Sequence, residues 1–72
     1  MHAVDQLLRK YNSNRNKLSK KSGISPTTLS NIVNRNTPID KIDARLLKAL
    51  SIETNQLMDD VYEQLKDYEE AQ

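Results

Sequence analysis

Thr27, Ser30, Asn31 and Asn34 fall at i, i+3, i+4 and i+7 of one helical pattern, and Leu29, Ile32 and Val33 fall on its other side. A solvated helix face ordinarily carries Lys and Glu. This one is polar and uncharged, with Lys17, Lys20, Lys21 and Arg35 flanking it. Short hydroxyls and amides donate and accept hydrogen bonds at once, which is what base edges in a DNA groove require, while the flanking cations suit phosphates. The pattern points to sequence-specific binding of double-stranded DNA.

Other chemistries lack their residues. There is no cysteine and the lone histidine, His2, has no second His or Cys at ligand spacing, so neither a zinc site nor a nucleophile–base–acid set is expected. His2 is expected to lie at a frayed terminus. Gly23 is the only glycine, which excludes a Gly-rich phosphate cradle. Asp59-Asp60 read as a solvated helix face rather than a metal pair. A chain of 72 residues builds one small domain with a marginal core and no enclosed active-site cavity. The reading is therefore a non-enzyme without metal or cofactor. It has no room for a ligand-sensing domain, so control is expected from concentration, a partner protein or proteolysis.

With no Phe or Trp and three Tyr, the core must be aliphatic. The absence of cysteine fits a reducing compartment, and no apolar run is long enough for a signal peptide or a membrane span, so the expected location is the cytoplasm. The net charge of +1 hides a division. Residues 1–36 hold seven Lys and Arg against one acid, Asp5, whereas residues 37–72 hold four against nine acids. A basic surface for a polyanion and a separate acidic region follow.

The elements that carry these residues read as five helices of an all-α domain. Val4, Leu7, Leu8 and Tyr11 give the first helix, over His2–Tyr11. Asn14 caps a second, Arg15–Ser22, with Leu18 and Ser19 inward and Gly23 at its left-handed exit. Ser25-Pro26 opens the third, which runs to about Asn34; serine caps it and proline suits its first position. Arg35–Ile39 form a loop, and Pro38 disfavours helix at Thr37. A fourth helix is expected at about Asp40–Leu50, with Ile42, Leu46, Leu47 and Leu50 as its apolar set. A break over Ser51–Thr54 leads to a fifth helix opening at Glu53 or Thr54, with Leu57, Val61 and Leu65 at i, i+4 and i+8. Met58 and Tyr62 widen that stripe. Residues 1–66 form the domain, and 67–72 an acidic, fraying tail.

Laid out this way, Arg15 to Asn34 resembles the helix-turn-helix of the phage-repressor and Cro-like (XRE) family. Leu18 takes the apolar place of the first helix of the motif, and Ser19 stands at the close helix–helix contact where alanine is usual. Gly23 is the turn glycine and Ile24 the apolar turn residue, while Leu29 and Ile32 anchor the recognition helix. With the later LLKAL segment and the helix after it, the resemblance covers about Val4 to Leu65. Two residues depart from the pattern. Ser22 replaces a commonly apolar residue, which should slightly weaken the core. Pro26 stands where a long polar base reader is frequent, which shifts that task to Thr27, Thr28 and Asn31.

The resemblance implies a lambda-repressor-like domain whose recognition helix lies in the major groove while the preceding helix crosses the backbone. Thr27 and Asn31 become the leading base readers, since asparagine pairs bidentately with adenine and a threonine methyl packs on that of thymine. Thr28, Ser30 and Asn34 are secondary. Phosphate contacts are expected from Asn14, Arg15, Lys17, Arg35, Asn36 and Lys41. Lys20 and Lys21 are weaker, since one of them points away. Arg9 and Lys10 either face the groove or pair with acids of the C-terminal half. For the fifth helix two roles stand: closing the core, or a homodimer contact through Tyr62, Leu65 and Tyr68, as members of the family often bind pseudo-palindromic operators as dimers. The implied function is a bacterial or phage transcriptional regulator, a repressor acting by operator occupancy. The alternative is a protein-interaction module, such as an antitoxin or regulator-binding protein, that uses the acidic C-terminal helix.

Overall fold

The computed structural model describes residues 1–71 and is all-α. Its elements are α1 (Ala3–Lys10), α2 (Arg15–Ser22), α3 (Pro26–Asn34), a single 3-10 turn (Ile39–Lys41), α4 (Ala44–Thr54) and α5 (Met58–Glu70). Helix α5 packs on α1, on α4 and on the 3-10 turn, and α2 packs between α3 and α4. The buried centre is aliphatic as composition requires: Val4, Leu7, Leu8, Leu18, Leu29, Ile39, Leu46, Leu50, Val61 and Leu65 are all enclosed. Tyr11, Tyr62 and Tyr68 are half-buried around it. Among the described residues no helix is long and apolar enough to cross a membrane.

The helix ends follow one device. The first four helices each exit through a residue in the left-handed region: Asn12 at φ 57°, Gly23 at 76°, Asn36 at 51° and Asn55 at 55°. At the three asparagines the exit carries the paired backbone bonds of a Schellman turn. Ser13 N–H reaches Leu8 C=O and Asn12 N–H reaches Arg9 C=O. Thr37 and Asn36 N–H reach Ile32 and Val33 C=O. Gln56 and Asn55 N–H reach Ser51 and Ile52 C=O. Asparagine tolerates this conformation better than other non-glycine residues because its short amide bonds locally.

Three boundaries expected from sequence shift. His2 is not frayed: it is the buried N-cap of α1, its Nδ1 accepting the Val4 N–H and its Nε2 donating to the Thr37 carbonyl at 2.9 Å. The fourth helix begins at Ala44 rather than Asp40, because Asp43 caps it by accepting the Arg45 N–H and Pro38 introduces only a 3-10 turn. It then runs through the expected break to Thr54, whose hydroxyl donates back to the Leu50 carbonyl. As a result α5 opens at Met58, and Leu57, expected in the core, sits at its N-cap, 72% exposed.

The tail also differs. Helix α5 continues to Glu70, and Glu69 accepts the Ile39 N–H at 2.8 Å, so residues 67–70 do not fray. Lys66 Nζ lies 3.2 Å from Glu69 and 3.3 Å from Asp40, and the Tyr62 hydroxyl donates to Asp40. This polar seam fastens α5 to the 3-10 turn. The Tyr62 hydroxyl and Lys66 hold the Asp40 carboxyl below its ordinary range; the Ile39 N–H and Lys66 do the same for Glu69. In return Glu69 and Asp40 raise Lys66, and Asp40 raises Tyr62.

Candidate nucleic-acid interface

Helix α2 is almost wholly polar, and Leu18 is its only fully buried side chain. Hydrogen bonds at its ends therefore matter more than usual. The Asn14 side chain accepts the Lys17 N–H at 2.9 Å and starts the helix. At the other end two serines hold the turn. Ser22 Oγ donates to the Leu18 carbonyl at 2.7 Å and accepts the Ile24 N–H at 3.1 Å, and Ser19 Oγ donates to the Ile24 carbonyl at 2.6 Å. Both backbone groups of Ile24 are thus satisfied from α2, while its side chain drops into the core. Ser22, expected to weaken the core, instead fixes the turn.

Ser25 then caps α3, accepting the Thr28 N–H at 3.1 Å, with Pro26 in the first turn. Leu29 is buried, and Ile32 and Val33 are half-buried, so the apolar face packs inward as its spacing predicts. The opposite face is open. Thr27, Asn31 and Asn34 are exposed, and none of their side chains bonds to another described residue. Two of the five candidate readers are engaged. The Thr28 hydroxyl pairs with Ser25 Oγ at 2.9 Å, and the half-buried Ser30 Oγ lies 3.5 Å from Arg15 Nη1. These two hydroxyls serve the cap and the α2–α3 seam.

The cations divide in the same way. Arg15 Nε sits 3.3 Å from Asp5 Oδ1, so the arginine at the start of α2 links α1 to α3 and is partly neutralised. Lys21 pairs with Glu53 of α4 at 3.3 Å, and Lys20 stays exposed. Lys17 is exposed, its Nζ 3.4 Å from the Asn12 carbonyl. Arg35, at the end of α3, is exposed and pairs with no acid among the described residues; Asn36 follows it in the left-handed exit. Lys41 is exposed on the 3-10 turn, outside the α2–α3 pair. Among the described residues Arg9 and Lys10 reach no acid of the C-terminal half: Arg9 approaches Met1 Sδ and Lys10 lies 5.9 Å over the Tyr11 ring.

Sequence reasoning missed Asp5. It is the only acid of the first 36 residues, which is the one signal that could have marked it as a partner for a nearby cation. Of the two roles open for α5, Leu65 takes that of closing the core, where it is fully enclosed, and Tyr62 and Tyr68 pack half-buried against that core. Comparison of the chain with protein-family models, with curated proteins and with solved structures finds no match.

Proposed function

We propose that the chain is a sequence-specific double-stranded DNA-binding protein of the helix-turn-helix kind, a transcriptional repressor acting by operator occupancy, with α3 as the reading helix. The observation that carries this reading is the open, uncharged polar face of Thr27, Asn31 and Asn34 on a helix whose other face is anchored by Leu29. Asn31 supplies a bidentate amide for adenine and Thr27 a methyl for thymine. Phosphates are held at the margins by the Asn14 end of α2, by Lys17, and by Arg35 and Asn36. Arg15 acts from the α2–α3 seam, oriented by Asp5.

Arg35 gives the cleanest test, because it is exposed and unpaired among the described residues. Arg35→Gln should weaken DNA binding across all sequences and lower the slope of log K against log salt by about one. An unchanged slope would remove Arg35 from the interface. A second reading, a protein-interaction module, is favoured by the exposed acids of α5: Glu63, Asp67 and Glu70. Replacing those three with Lys should leave DNA affinity intact or raise it, while abolishing capture by a basic partner protein. Glu69 is spared in that variant because it holds Ile39.

A further inference from the structure

A groove of about 280 Å³ separates the end of α2 from α4. Ile24, Ala49 and Ile52 form its apolar part, and Lys21, Arg45 and Lys48 stand along it. Ile24 and Ala49 are buried at its floor, while Ile52 is 67% exposed. Among the described residues no acid and no member of α3 lines it. It is too small and too open to enclose a small molecule.

Charge identifies the occupant. Arg45 and Lys48 are exposed one turn apart on α4, and Ile52 follows a turn later. On a helix face that meets only water, a cation gains from an acid three or four residues away. Neither cation has an acid at that distance, and neither forms an ion pair with another described residue. Glu53, which follows Ile52, is withdrawn. Its side chain is 7% exposed, with Oε1 accepting from Ser13 at 3.0 Å and Oε2 lying 3.3 Å from Lys21. The groove therefore offers an apolar floor beside two uncompensated positive charges. Phosphates would match the charges alone. A segment with carboxylates beside apolar side chains matches both.

We infer that this groove docks an acidic amphipathic helix of a different protein, with apolar residues against Ile24, Ala49 and Ile52 and carboxylates against Arg45 and Lys48. Arg45 and Ile52 lie about 10 Å apart along the axis of α4, a length that two turns of such a partner cover. Ala49 between them is small, so a second helix can approach closely. The contact is limited in area, and binding is weak and salt-dependent. None of this rests on the reading of DNA by α3, and the partner is opposite in charge to the one considered for the acids of α5.

The test is fluorescence anisotropy of a labelled synthetic peptide titrated with the full chain at about 0.15 M salt, where charges more than about 8 Å apart are largely screened. The peptide is a helix of about 14 residues with Leu at every third or fourth position and Glu on either side of that stripe. A second peptide carries Lys in place of each Glu. The acidic peptide should bind and the basic one should not. Arg45→Glu combined with Lys48→Glu should weaken binding about tenfold or more, and Ile52→Ser, which leaves the net charge unchanged, by about the same factor. Lys10→Glu, on α1 and outside the groove, should change it less than about twofold. All four side chains are exposed, and helical circular dichroism checks that each variant folds. Absence of binding, equal binding of both peptides, or binding that survives the groove variants would overturn the inference. So would loss of DNA affinity in the Arg45→Glu, Lys48→Glu variant without any peptide binding, which would assign these cations to phosphates. Self-association of the chain in sedimentation that the same variant abolishes would give the groove to a second copy and overturn it too.

Discussion

Ser22 shows how a single hydroxyl settles the geometry of the proposed reading helix. It accepts the Ile24 N–H and donates to the Leu18 carbonyl, so removing it leaves a turn amide without a partner at the point where α2 hands over to α3. Ser22→Ala should cost about 1–3 kcal/mol in urea unfolding, since two bonds are lost and the Ile24 amide is left without its partner. The same variant should weaken binding to DNA by more than the stability loss explains, because α3 loses its fixed exit angle. A neutral effect on both would mean that the turn is held by Gly23 and Ile24 alone. The open face of α3 was legible in the sequence because helical periodicity is local. The engagement of Thr28 and Arg15 was not. The first depends on the geometry of the Ser25 cap, and the second on Asp5, ten residues away on another helix.

At the scale of elements, the boundaries of α2 and α3 were readable because each carries a strong local signal: Asn14, Gly23 and Ser25-Pro26. The fourth and fifth helices were misplaced where two signals competed. Asp40 and Asp43 are both plausible caps, and only Asp43 accepts a backbone N–H at a helix start. The spacing of Leu57 to Val61 and Leu65 imitates a helical stripe, yet the left-handed Asn55 places Leu57 outside the helix. The seam that joins α5 to the 3-10 turn has a pH signature. Asp40 and Glu69 are more acidic in the folded chain than their ordinary values of about 3.9 and 4.3. Their contribution is therefore complete above about pH 5 and is lost as pH falls through the lower folded values. Stability measured by urea unfolding should decline below about pH 4, and Glu69→Gln should flatten that decline. An equally steep decline in the variant would show that this carboxylate does not set it. The effect is small, because the seam is open to solvent.

For the whole molecule, a net charge of +1 divides into a basic first half and an acidic second half, so the DNA binding we propose would be local and strongly oriented rather than driven by overall charge. Ion pairs reduce the free charges of each half without removing the asymmetry: Asp5 takes up Arg15 within the first, Lys66 takes up Asp40 and Glu69 within the second, and Lys21–Glu53 joins the two. What remains free at the proposed interface is a short uncharged face bordered by a few cations, which favours reading over mere adhesion. The all-α class and the aliphatic core followed from composition and periodicity; the exposure of Leu57 did not, since it arises from where the turn at Asn55 interrupts a pattern. Selection of bound sequences from a random duplex pool, with the unmodified chain and Asn31→Ala run in parallel, tests the central claim most directly. The account predicts a recovered motif whose information collapses at one base pair when Asn31 is replaced. No enrichment at low salt, or an identical motif from both proteins, would contradict base reading by α3.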